Sequence, residues 1–180
     1  MRSRSLVATA ALSVALLLPA TVAANGPEPI RISPWLAPYT LEVDEGTPLY
    51  VDWGWFGCTY GLAQHVRTAY TQWYELVRIG DEPEAIVTLS PTEAGAYWGA
   101  PFPADVFAEA CIIGQPRGHE VRWRFDLPML APGTYELAIH IDLDHTITDG
   151  TDMLDGDGHL DLYRPGAAAD AVVTIHVNAP

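Results

Sequence analysis

The chain has 180 residues, with 23 acidic side chains against nine arginines and no lysine, for a formal charge of −14. Nucleic acid and anionic membranes are bound through Lys and Arg contacts, so this balance argues against both and favours cations or basic partners. Two cysteines exclude a structural zinc site of the four-cysteine type.

Residues 1–24 read as a secretory signal peptide. Arg2 and Arg4 give a basic start, Leu6 to Leu18 is apolar and uncharged, and Pro19 breaks the run. Val22-Ala23-Ala24 supplies the small residues of a cleavage site. The apolar run of about 13 residues falls short of the roughly 20 that span a bilayer, and no later stretch qualifies. Export is therefore expected, to the periplasm, the cell surface or the medium. Loss of Arg2 and Arg4 takes the charge from −14 to −16. The remainder suits one domain over 39–180, preceded by an extended segment over 25–38.

"TLEV" opens the domain as a strand. "LYVDWGW" alternates, with Leu49, Val51, Trp53 and Trp55 on one face and Tyr50, Asp52 and Gly54 on the other. Such a period of two predicts a strand with one face buried. "GLAQHVRTAYTQWYELV" spaces Leu62, Val66, Ala69, Trp73 and Val77 by three or four, which predicts a short helix over Gly61 to Ala69 running into a strand. "AIVTLS" is another strand and "PADVFAEACI" a helical turn. "EVRWRF", "YELAIHIDL" and "AVVTIHV" alternate again. Seven or eight short strands punctuated by Gly, Pro, Asp and Asn predict an all-β, antiparallel sandwich with one or two helical turns in its loops.

In an exported chain, Cys58 and Cys111 are expected to pair. That bond closes a loop of about 54 residues, for up to roughly 4 kcal/mol. If the strands alternate up and down from "LYVDWGW", the long connections 58–70, 91–119 and 144–170 share one pole. The short turns at 80–83 and 128–134 share the other. Long loops of this kind usually carry function, so the long-loop pole is the expected binding end.

"LAPGTYEL" holds Leu130, Pro132, Gly133, Tyr135 and Leu137. It resembles the tyrosine corner of immunoglobulin-like domains, where a Tyr near the start of the penultimate strand bonds its hydroxyl to upstream backbone. "YELAIHI" and "VVTIHV" resemble the last two strands of such domains. The resemblance implies an immunoglobulin-like sandwich with Tyr135 in a structural role, and it implies no activity. The cysteine pair departs from the antibody pattern, because Cys111 lies in a loop before "EVRWRF".

Seven of the thirteen aspartates fall between His140 and Tyr163. "LDGDGHLDL" sets Asp155, Asp157, Gly158 and Asp161 at a spacing similar to the calcium loops of integrin-type propeller repeats and dockerins. That resemblance implies calcium held by Asp155, Asp157 and Asp161. Met153 stands where the first carboxylate belongs, so Asp149 or Asp152 must replace it. Calcium takes six to eight oxygens, which short aspartates between glycines can supply. A solvated hairpin is the competing reading.

"HIDLDH" places His140, Asp142 and Asp144 on one strand face, next to His145, as a second and weaker metal candidate, for zinc. It resembles the H-x-H-x-D-H of metallo-β-lactamase-type hydrolases, with Asp142 replacing the second His. His65 and His159 would add imidazoles if the loops fold over. The competing reading is the polar face of a half-exposed strand. "AYWGAPFP" puts Tyr97, Trp98 and Phe102 in a long loop, as rings that stack on a sugar or grip a peptide. Alternatively Trp98 caps the core. No nucleophile elbow, phosphate loop or dinucleotide fingerprint is present.

Together these features predict a non-catalytic binding or surface-interaction module that meets a protein or glycan at its long-loop pole, with calcium in the acidic loop. A metal-dependent hydrolase centred on residues 140–145 is the alternative from another class. A structural envelope domain and a carbohydrate-binding module are further alternatives.

Overall fold

The computed structural model describes residues 26–36, 38–105, 107–113, 117–154 and 156–180. The expected signal peptide and Asp155 lie outside the described residues. In chain order the elements are β1 (Ile30–Ile32), β2 (Tyr39–Asp44), β3 (Leu49–Gly57), α1 (Tyr60–Ala69), β4 (Tyr70–Ile79) and β5 (Glu84–Leu89). There follow α2 (Pro91–Gly95), β6 (Phe102–Ala104), β7 (Gly118–Asp126), β8 (Gly133–Leu143) and β9 (Gly166–Asn178). Short 3₁₀ turns occupy Pro34–Leu36 and Ala108–Ala110.

Two sheets face one another, one in the order β1-β3-β7-β6 and the other β2-β9-β8-β4-β5. This is the all-β sandwich that the period-two segments predict. Two pairings differ from a purely antiparallel plan: β1 runs parallel to β3, and β2 runs parallel to β9. Residues 30–36 are built into the sandwich. Ile32 is fully buried, and Trp35 stands edge-on to Trp53 with ring centroids 5.4 Å apart.

The strands bury the faces that alternation assigns to them. Val51, Trp53, Val121 and Trp123 from one sheet meet Tyr74, Leu76, Leu137, Ile139 and Ile175 from the other. Tyr74 stacks on Trp123 at 4.5 Å, and each aromatic pair of this kind adds about 0.5–1.5 kcal/mol beyond area burial. Trp53 Nε1 donates to Gln72 Oε1 at 3.2 Å and to Tyr74 Oη at 3.3 Å, while Tyr74 Oη donates to Gln72 Oε1 at 2.7 Å. An indole N–H only donates, so Trp53 fixes which end of the Gln72 amide faces it. On the outer face of the same sheet, the Asp52 carboxylate is buried between Arg31 and Arg122, at 3.1 and 2.9 Å. A carboxylate that leaves water needs such partners.

Helix α1 starts where Thr59 Oγ1 accepts the Leu62 N–H at 3.2 Å, and it buries Ala63, Val66 and Ala69. It ends as Tyr70 turns extended, so helix and strand join without a loop. Helix α2 opens on Ser90, whose N–H and hydroxyl both donate to the Glu93 carboxylate, at 2.9 and 2.6 Å. Tyr135 is buried and donates its hydroxyl to the Ala131 carbonyl at 2.8 Å, the upstream backbone bond that "LAPGTYEL" predicts.

Candidate binding site at the long-loop pole

Cys58 and Cys111 form a disulfide. Around it the chain segments after β3, before β7 and after β8 are stitched together by backbone bonds. The Cys58 N–H donates to the Asp149 carbonyl at 2.6 Å, the Ile112 N–H to Gly150 at 3.1 Å, and the Asp152 N–H to Ala110 at 3.3 Å. Gly150 has φ +88°, and a Cβ there would stand 2.8 Å from Cβ of Cys58, so this crossing needs glycine on both counts. The three long connections therefore do share one pole, as strand alternation requires.

The acidic stretch after β8 is held mainly by its own carboxylates. Asp149 Oδ1 accepts from the Thr151 N–H at 2.8 Å and from its hydroxyl at 2.7 Å, and Asp149 Oδ2 accepts from Tyr163 Oη at 2.9 Å. Asp161 Oδ2 accepts from the backbone N–H groups of Met153 and Leu154, at 2.6 and 3.0 Å. Asp152 receives the N–H groups of Asp157 and Gly158, and Asp157 receives that of His159. Asp149 and Asp161 are 8 and 5 % exposed, and buried carboxylates of this kind must find donors. Ile147 and Tyr163 exchange backbone bonds at the neck of the excursion, at 3.0 and 2.9 Å.

Among the described residues, no group of three or more His, Cys, Asp or Glu side chains gathers around a point that would hold a metal. Of the five aspartates expected to hold calcium, Asp149, Asp152, Asp157 and Asp161 accept loop hydrogen bonds, and Asp155 is outside the described residues. Met153, at the vacant first-ligand position, is tied through its N–H to Asp161.

The "HIDLDH" residues separate. His140 Nε2 pairs with Asp142 Oδ2 at 2.8 Å on the outer face of β8, with Asp170 of β9 3.7 Å from Nδ1. The hydrogen bond to Asp142 raises the His140 pKa above 6.5, against the opposing effect of desolvation. Asp144 instead accepts from Thr71 Oγ1 at 2.6 Å, and His145 Nε2 lies 3.0 Å from His65 Nε2. The expected convergence of His140, Asp142 and Asp144 on one ion is not what the described side chains make. Past Leu143 the chain leaves the sheet, so the alternation that would align Asp144 with Asp142 ends.

The three loop aromatics also part. Trp98 is buried at 6 % exposure and stands edge-on to Trp53 with centroids 4.7 Å apart, so it caps the core and presents no open ring. Tyr97 leans on Phe125 at 4.9 Å, and Phe102 is exposed on β6 opposite Glu120.

The concave surface at this pole is built from other residues. A cleft of about 380 Å³ is lined by Trp35, Trp55, Tyr70, Tyr163 and Arg164. A second, of about 300 Å³, is lined by Phe56, Phe107, Met153 and Leu154. Trp55 and Tyr163 line both, meeting edge-on with centroids 4.7 Å apart. Burial, and next the Asp149 carboxylate, raises the Tyr163 pKa far above its usual value of 10, so the phenol stays a donor. Exposed apolar side chains cluster in the same loops: Phe107, Ile112, Ile113, Met153, Leu154 and Leu162.

The β3 alternation puts Trp55 on the inward face, but it lies two residues beyond Trp53 toward the strand end, where it is only half buried and walls the clefts. Tyr163 carries no local pattern at all; its role follows from a contact with Asp149, fourteen residues away. Comparison with family models, with curated proteins and with solved structures returns no match.

Proposed function

We propose that this chain is an exported, non-catalytic interaction module that grips a protein partner at its long-loop pole, seating an apolar side chain in the cleft between Trp55, Tyr163, Phe107, Met153 and Leu154. The smaller cleft carries the reading. Its walls are aromatic and aliphatic, and Asp149, the carboxylate that reaches it, has both oxygens bonded to Thr151 and Tyr163. A sugar would need polar groups beside the rings, whereas an apolar anchor needs the seat that is there. Exposed Leu154 and Met153 at its edge suit an adaptable protein contact. The charge, −16 after loss of Arg2 and Arg4, selects a partner with basic residues around that anchor.

The aspartates serve this site by holding its lip, since Asp161 fixes the backbone of Met153 and Leu154. The hydrogen bonds that Asp149, Asp152, Asp157 and Asp161 accept are read as the loop's own scaffold, and the ligand is assigned to the cleft. The disulfide supports the export expected from residues 1–24, because such bonds persist in oxidising compartments. The Tyr135 bond supports the resemblance to immunoglobulin-like domains.

The test is a competition for one purified partner from the extracytoplasmic fraction. Leu154→Asp and Phe107→Asp place charge in the seat and are expected to release it. Ile79→Asp, exposed at the far end of β4, is expected to retain it. Retention by both cleft variants, or binding of a glycan that depends on Trp55, would overturn the proposal.

A further inference from the structure

His65 and His145 lie 80 residues apart in the chain and meet at the surface, with Nε2 atoms 3.0 Å apart and ring centroids 5.0 Å apart. The backbone brings them together. The Asp144 N–H donates to the Ala69 carbonyl at 2.8 Å, tying the end of β8 to the last turn of α1. His65 lies one helical turn before Ala69, so residue 145 emerges beside it. Thr71 Oγ1 holds the Asp144 carboxylate at 2.6 Å and steadies the same corner. Neither bond involves an imidazole, so the pair is placed by the fold. At 3.0 Å, one Nε2 of the neutral pair offers its hydrogen to the lone pair of the other. An ion that replaces this hydrogen needs both Nε2 lone pairs, each ring turning so that they converge on a point beside the N–N line.

We infer that His65 and His145 form a chelating seat for a divalent transition-metal ion, copper or nickel in preference to zinc. The affinity order of divalent ions for nitrogen sites, with copper(II) at its head, makes the choice. Two nitrogens about 2.0–2.1 Å from an ion stand about 2.9 Å apart at a right angle and about 3.4 Å apart at a tetrahedral one. The observed 3.0 Å, set by the N–H···N hydrogen bond, puts both nitrogens within reach of one ion by a small turn of two exposed rings. Imidazole nitrogen suits these ions, whereas calcium seeks oxygen. Both residues are exposed, which leaves the other coordination positions open to water or to a ligand from outside. The His140 ring, already paired with Asp142, is separate from this seat and serves as its control.

The experiment uses the full chain produced without a polyhistidine tag. Copper(II) is titrated by calorimetry, and the bound ion is read by electron paramagnetic resonance. One equivalent is expected, with a nitrogen-ligated tetragonal spectrum, weaker binding of nickel and zinc, and none of calcium. His65→Ala and His145→Ala should each abolish it, and His140→Ala should keep it; the exposure of both rings leaves the fold intact. Copper binding that survives both His65→Ala and His145→Ala, loss on His140→Ala alone, or zinc held more tightly than copper would overturn the inference.

Discussion

Tyr163 donates its phenol to the Asp149 carboxylate across 2.9 Å, and this bond joins the wall of the two clefts to the segment pinned beside the disulfide. One end of the contact faces the clefts, and the other reports to the Cys58 backbone through the Asp149 carbonyl. The shape of the clefts and the stability of the loop pole are thus properties of one connected unit.

Tyr163→Phe should therefore cost more than a surface hydroxyl would. It removes a hydrogen bond to a charged, buried acceptor, which contributes about 1.5–3 kcal/mol. The urea midpoint should fall while the slope of the unfolding transition stays constant. The ring itself keeps its edge contact with Trp55, so the near-ultraviolet dichroism of the folded state should change little.

Asp161→Ala should destabilise by about 1–3 kcal/mol, because the part-buried Met153 and Leu154 amides lose their shared acceptor. Hydrogen exchange at those two amides should accelerate more than elsewhere. The described carboxylates of this loop, Asp149, Asp152, Asp157 and Asp161, accept backbone N–H groups, so millimolar calcium and a chelator should leave the unfolding temperature of the parent chain unchanged. A calcium-dependent rise would return the loop to the calcium reading.

Reducing the Cys58–Cys111 bond, or replacing both cysteines with alanine, should cost roughly 2–4 kcal/mol. The three connected loops should separate before the sandwich melts, so quenching of Trp55 should change at lower denaturant than the signal from buried Trp53 and Trp123. Single-tryptophan variants read by fluorescence separate the two steps.

The His140 resonance should titrate above 6.5, since Asp142 hydrogen-bonds the protonated ring. A pKa raised by folding means that this pair stabilises the fold fully below the unfolded value of 6.5 and loses its contribution as pH rises through the folded value. Asp142→Asn should move the midpoint back toward 6.5 in a proton NMR titration. Asp170→Asn should move it less, because Asp170 stands 3.7 Å from the ring.

Much of the architecture was legible because burial follows alternation. The inward faces of "LYVDWGW", "EVRWRF" and "YELAIHIDL" are the faces that pack, and the spacing from Gly61 to Ala69 is that of α1. Helix α2 was missed although Ser90-Pro91-Thr92-Glu93 spells a helix start, with an N-cap serine, a proline at the first position and a glutamate three residues on. Ile30 to Ile32 carries too few residues to show a period, and only its pairing with β3 makes it a strand.

The site divides along the same line. Composition and local spacing set what was within reach of the sequence: the all-β class, the meeting of Cys58 with Cys111, the Tyr135 corner, and a pole where long loops gather. These depend on residues a few positions apart or on the sense in which strands alternate. Which side chains share a surface was decided by tertiary structure alone. Asp149 faces Tyr163, His145 faces His65 and Trp98 faces Trp53 because separate segments are brought together by backbone bonds and core packing. A run of aspartates looks like a ligand set when read along the chain. Folded, most of those carboxylates hold the loop that frames a cleft of aromatic and aliphatic residues drawn from four places in the sequence.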